Sequence, residues 1–281
     1  MRQKEKSMIP NPVITNFRAQ ALTDAELRLE ARSIFATEPM RGLSTRYAFV
    51  PTTEIVAGLR EKNWLPVHVE QQRVRLESRF GFQKHLIRFR RAEQMQTLDE
   101  WNEELVLTNS HNAACAYIMQ VGIYRRLCSN GLVVSTDSFS AIRFRHAGLR
   151  AEKVVEASYR ILEFVPKVGV LIERFRNCRL SEGESLAFAQ QALALRYGNL
   201  EQSPVEARTL LTPRRVEDQS NDLWTSFNSI GEHLLRGGLS DSRRDRRGRL
   251  RSVRALRGID SQVSLNMRLW NLAEATATNR N

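Results

Sequence analysis

Cysteine is scarce: Cys115, Cys128 and Cys178 are the only three in 281 residues, an odd number spaced too widely for a disulfide framework or a zinc knuckle. They are expected to be reduced, buried and inert. No stretch approaches the roughly 18 uninterrupted apolar residues of a membrane span. The opening Met1-Arg-Gln-Lys-Glu-Lys6 lacks the apolar run that follows in a secretory signal. The expected location is the cytoplasm, with no membrane partner. Neither a GxxxxGK(S/T) phosphate loop nor a GxGxxG turn occurs, which disfavours nucleotide hydrolysis. The five histidines (His68, His85, His111, His146 and His233) have no second ligand at a site-forming spacing. The carboxylates are scattered, so no metal and no cofactor is expected. Glycine (14) and proline (8) are few and 42% of residues are hydrophobic, so the chain can bury a core as one large domain or two small ones.

What the chain has in excess is arginine. Between Ser240 and Gly258 stand Arg243, Arg244, Arg246, Arg247, Arg249, Arg251, Arg254 and Arg257 against Asp241 and Asp245, a local balance of +6 within a formal +12. A glycine-interrupted arginine run buries poorly, because each guanidinium stays charged and seeks a carboxylate, a phosphate or water. A second basic stretch, with Arg73, Arg75, Arg79, Lys84, Arg88, Arg90 and Arg91 against Glu77, also sums to +6. Here basic and apolar residues largely alternate, as in strands with one face on a core and one in solvent. A two-stranded basic ribbon and a mobile arginine loop at 240–258 are therefore the expected tracks for a phosphate backbone. The residues expected to bind nucleic acid are Arg73, Arg75, Lys84, Arg88, Arg90, Arg243, Arg244, Arg246, Arg247, Arg249 and Arg251.

The element pattern is α+β. Thr23-Asp-Ala-Glu26 carries a capping signal for a helix from Ala25 to Phe35. Arg46–Val50 reads as a strand, and Pro51 opens a helix whose buried face is Ile55, Val56 and Leu59. The two basic strands follow. Glu103–Thr108 and Ala114–Tyr124 read as further strands, although the second also fits a helix, and Phe139–His146 alternates as another. After Gly148 the spacing becomes three-and-four: a long helix over Glu152–Cys178 with Pro166 inside, one from Ser181 to about Tyr197, a short piece at Val205–Leu211, one over Asp222–Leu235 ended by Gly237-Gly238, and one over Ser261–Ala275. The expected organisation is a helical arm at 1–40, an α+β region with an antiparallel sheet and packed helices at 41–150, and a helical region at 151–281.

Catalytic signals are thin. His111 and Cys128 could form a nucleophilic pair, but a cysteine in an apolar run and a histidine bonded to turn backbone need no catalysis, so the chain is read as a non-enzyme. Trp64, Trp224, Phe227 and Trp270 invite base stacking. Helical spacing around Trp224 and Trp270 favours core packing instead.

Four segments in order resemble the YfjQ/YafZ-like proteins, a family carried by bacterial plasmids and prophages. They are Leu107-Thr-Asn-Ser-His111, Leu127-Cys-Ser-Asn-Gly-Leu132, Asp222-Leu-Trp-Thr-Ser-Phe-Asn228 with Gly237-Gly238, and Leu265-Asn-Met-Arg-Leu-Trp-Asn-Leu-Ala-Glu-Ala275. The motif residues Asn109, His111, Cys128, Asn130, Trp224, Asn228, Asn266 and Trp270 carry the match, which runs from about Arg41 onward. The resemblance implies residence on mobile DNA and brings no established activity to carry over. A looser architectural similarity links helix Pro51–Asn63, Trp64 and the basic strands to single-strand annealing proteins of recombination, which implies rings or filaments with single-stranded DNA along a basic groove. The expected function is non-enzymatic single-stranded DNA binding or annealing by a homo-oligomer. The alternative is an anti-defence or regulatory protein acting on a host protein or on duplex DNA.

Overall fold

The computed structural model describes residues 20–97, 100–125, 131–134, 141–244 and 249–279. Helix α1 (Asp24–Glu30) starts at Thr23, whose hydroxyl accepts from the Glu26 amide while the Glu26 carboxylate accepts from the Thr23 amide. It is shorter than its apolar pattern suggests, because a 3₁₀ turn at Arg32–Phe35 takes over and buries Ile34. Helix α2 (Thr52–Glu61) buries Ile55, Val56 and Leu59, as its spacing requires.

Strands β1 (Trp64–Gln71), β2 (His85–Arg91), β3 (Trp101–Asn109) and β4 (Tyr117–Arg125) form an antiparallel meander. Strands β5 (Gly131–Val134) and β6 (Ile142–Phe144) both pair with β4, completing a six-stranded sheet. The segment Ala114–Tyr124 is thus a strand over most of its length. Helices α3 (Ala151–Asn177), α4 (Glu182–Tyr197), α5 (Ala207–Leu210) and α6 (Leu223–Arg236) follow. Then come a hairpin of β7 (Ser240–Arg244) with β8 (Leu250–Ser252) and helix α7 (Ile259–Thr278). The fold is α+β, with the antiparallel sheet in the first half and helices in the second.

Period-two alternation sorts the strands into two faces. Ile87, Phe89, Leu105, Leu107, Met119, Val121 and Ile123 point into one hydrophobic cluster with α2 and α3. The same cluster continues into the helical half, where Phe175, Phe227 and Trp270 meet at centroid distances of 5.1 and 6.0 Å. Trp64, Trp224 and Trp270 are all buried there, so packing claims these rings and base stacking does not.

Two sequence expectations need correction. Arg46–Val50 is a turn and extended coil: Tyr47 stacks on His146 at 4.5 Å and Phe49 packs on His111 at 5.0 Å, and these ring contacts hold it without a ladder. Within the arginine-rich segment at 240–258, Ser240–Arg244 and Leu250–Ser252 pair as the antiparallel strands β7 and β8 instead of staying open coil. This hairpin is docked onto the end of α6. The Gly238 amide donates to Val253 O at 2.8 Å, and Leu256 donates to Leu235 O at 2.7 Å. Gly237, at φ +66°, lies so close that a Cβ would stand 2.3 Å from Val253 O.

Candidate nucleic-acid interface

The second face of the sheet carries the basic residues of β2, yet it is not a solvent face. Ile259 of α7 is buried on Leu86, Val106 and Tyr124, with Val263 packed alongside. Cations on such a face must be paired, because an isolated buried charge is prohibitively costly. Glu104, wholly buried on β3, accepts from Arg88 Nε at 2.5 Å and from Arg90 Nη2 at 2.6 Å. The Arg88 guanidinium also lies 3.1 Å from the Tyr124 ring centroid. Lys84 Nζ sits 2.7 Å from both carboxylate oxygens of Asp260 at the start of α7. The expected basic ribbon is therefore corrected: Arg88 and Arg90 are buried ion-pair members, and Lys84 is paired with the exposed Asp260. Arg73 and Arg75 lie beyond the end of β1, exposed in the β1–β2 connection.

The other predicted cations belong to the arginine-rich segment at 240–258. Arg249 and Arg251 are exposed, as are Arg254 and Arg257. Arg243 and Arg244 belong to β7, while Arg246 and Arg247 lie outside the described residues, as do Cys128 and Asn130 of the motif set.

Sequence reasoning missed what the hairpin faces. The hairpin lines the first of three adjoining depressions of about 680, 350 and 520 Å³. The first is lined by Arg196, Tyr197, Arg251 and Arg254, the second by Arg196, Asp260 and Arg268, and the third by Lys84, Asp260, Arg143 and Arg268. Shared walls make them one groove, with six cations against Asp241 and Asp260. Arg196 fixes its floor by donating to Leu234 O and, at 2.7 Å, to Arg254 O. Arg143, Arg196 and Arg268 come from β6, α4 and α7, so no run in the sequence betrays them. The one available signal was Arg143 alternating with Ile142 and Phe144.

The motif residues Asn109 and His111 meet elsewhere, around the Thr52 hydroxyl. His85 Nε2, His111 Nε2 and Tyr117 Oη each lie 3.0 Å from Thr52 Oγ1, and Asn109 Nδ2 donates to it at 3.2 Å. The hydroxyl has one proton and two acceptor sites, and hydrogen-bond counting assigns the tautomers. Tyr117 commits its proton to Val50 O at 2.8 Å. His85 Nδ1 faces Gln83 O at 3.4 Å and Ser33 Oγ at 2.9 Å, so it carries the proton and Nε2 accepts from Thr52. His111 Nε2 then donates to Thr52. Burial, reinforced by the neighbouring His111, pushes His85 from 6.5 down to about 3. Burial beside His146 takes His111 to about 4. Both rings are neutral at pH 7, and His111, in the turn that follows β3, is a buried structural group.

No group of three His, Cys, Asp or Glu suited to a metal occurs among the described residues. Burial raises the Cys115 thiol, which lines the groove as a thiol and not a thiolate. Of the remaining motif residues, Asn228 donates to Trp224 O at 2.7 Å and Asn266 is buried on α7 beside Leu265.

Residues 39–270 match the family described as Domain of unknown function (DUF932). The chain is 36% identical to the UPF0380 protein YafZ of Escherichia coli (strain K12) over 261 residues, 93% of each chain. It is 35% identical to the UPF0380 protein YfjQ of the same strain, again over 261 residues and 93% of each. No solved structure matches it. With a family model covering most of its length and two relatives aligned nearly end to end, the chain belongs to the DUF932 family of YafZ/YfjQ-like proteins.

Proposed function

We propose that the protein binds single-stranded nucleic acid, DNA foremost, along the arginine-lined groove, and anneals strands as a non-enzymatic homo-oligomer serving a mobile genetic element. The observation that carries this reading is the groove itself. Arg143, Arg196, Arg251, Arg254 and Arg268 converge on it from four separate elements and the chain beyond β8, and none of the five forms an ion pair among the described residues. Guanidiniums gathered along a concave surface suit a polyphosphate track, since each phosphate contact releases condensed counterions. The order α2, antiparallel meander, long α3 also supports the annealing reading, because it extends the helix-on-ribbon arrangement of annealing proteins beyond the first two strands.

Fluorescence anisotropy with a labelled strand of about 40 nucleotides and with its duplex, titrated across salt, tests this. Five groove arginines with one phosphate each give a slope of roughly −3.5 in log affinity against log salt, or about a 100-fold loss between about 50 and 200 mM. Joint alanine replacement of Arg143, Arg251, Arg254 and Arg268 should flatten that slope by about 3 while leaving the fold intact. Tight binding to duplex alone would replace annealing with regulation. No binding at low salt would turn the groove toward an acidic protein partner.

A further inference from the structure

The β1–β2 connection, residues 72–84, is much longer than the two to five residues of a tight hairpin, and it is built rather than slack. Its base is closed by Gln72 N donating to Lys84 O at 2.8 Å. A 3₁₀ turn at Glu77–Arg79 forms the tip, with Arg79 N donating to Leu76 O at 3.0 Å and Phe80 N to Glu77 O at 2.9 Å. His111 N donates to Phe82 O at 3.0 Å and ties the returning limb to the core.

On this frame Leu76 is 58% exposed and Phe80 53%. Neither faces a core, and no ring contact engages Phe80 among the described residues. Arg73, Arg75 and Arg79 lie on the same loop, all exposed. Unlike the cations of β2, none of the three belongs to an ion pair among the described residues, and Glu77 is the one acid in the loop. An aromatic face held in water among uncommitted guanidiniums complements an unpaired nucleobase with phosphates on either side. A duplex hides its base faces in the stack, so the complement is single-stranded. Lys84, the last residue of the loop, lines the groove through its pair with Asp260, which places the loop's base at the groove wall.

We propose that the β1–β2 loop is a base-stacking finger rising from the end of the groove, with Phe80 against an unpaired base and Arg73, Arg75 and Arg79 on the flanking phosphates. This rests on the nucleic-acid reading and adds to it the source of discrimination between single strand and duplex.

The test uses the full chain with Phe80→Ala and Phe80→Trp, an oligothymidylate strand and a duplex of equal length. Phe80→Ala should weaken single-strand binding about 10-fold, within the range for loss of one stacked base. The salt slope and the duplex affinity should not change, because no charge is removed. Phe80→Trp should restore affinity, and its added emission should be quenched by the strand. Because the ring is exposed, both variants should melt with the wild type. Wild-type affinity in Phe80→Ala would overturn the finger and leave the groove reading standing. Failure of the wild type to bind any strand would overturn both. Transfer of the Phe80→Trp emission into vesicles of anionic lipid, without quenching by the strand, would replace the base with a membrane surface.

Discussion

Acid should unfold this protein before most carboxylates titrate, and the reason lies around Thr52. In the unfolded chain His85 and His111 take up protons near pH 6.5, whereas in the fold they do so only near pH 3 and 4. The folded pKa values are depressed, so the stability these rings contribute is complete above about pH 6.5 and declines as pH falls toward their folded values. At pH 5.0 each ring lies about 1.5 units below its unfolded value, which at 1.36 kcal/mol per unit costs about 2 kcal/mol. Together they remove about 4 kcal/mol, a large share of the 5–15 kcal/mol typical of a folded domain. Urea titrations at pH 7.5 and 5.0, followed through the buried tryptophans, measure this directly. His111→Gln keeps an N–H for Thr52 and removes one titrating ring, so its pH-dependent loss should be smaller than that of the wild type by about 2 kcal/mol. Equal stability at the two pH values, or an equal loss in His111→Gln, would refute the neutral buried pair.

Glu104→Gln leaves Arg88 and Arg90 buried without a carboxylate and should cost about 3–5 kcal/mol, read as a lowered denaturation midpoint. Thr52→Val removes the oxygen shared by two imidazoles, a phenol and an amide. It should cost about 2–3 kcal/mol in the same assay through the donors it strands. Gly237→Ala drives a Cβ against the Val253 carbonyl at a positive φ. It should lower the melting temperature by about 5 °C, and it should weaken strand binding as Arg251 and Arg254 shift.

The elements were legible wherever a local rule sets them. The Thr23 and Ser181 capping boxes, the Ile55–Leu59 face and the three-and-four spacing of α3 each mark their helix without help from distant residues. The basic strands were also legible as strands, but the destiny of their charges was not. Alternation shows that Arg88 and Arg90 share a face; it says nothing about Glu104 opposite or α7 above. Those partners come from other parts of the chain, and the Lys84–Asp260 pair spans 176 positions. The groove was hidden for the same reason, since its cations are single residues on separate elements. Phe80 went unnoticed because an apolar residue between basic strands reads as core until the loop is seen to turn it outward.

Helix α7 supplies Leu265, Leu269 and Trp270 to the main core and Ile259 to the second face of the sheet. Everything translated before it must wait. A nascent chain extending only through β6 would present an unpaired Lys84 and a sheet with both faces incompletely covered. Long-range closure of this kind is slow and exposed to aggregation. Synthesis rate and chaperone supply, more than the strength of any single contact, should then govern how much active protein a cell obtains from this sequence.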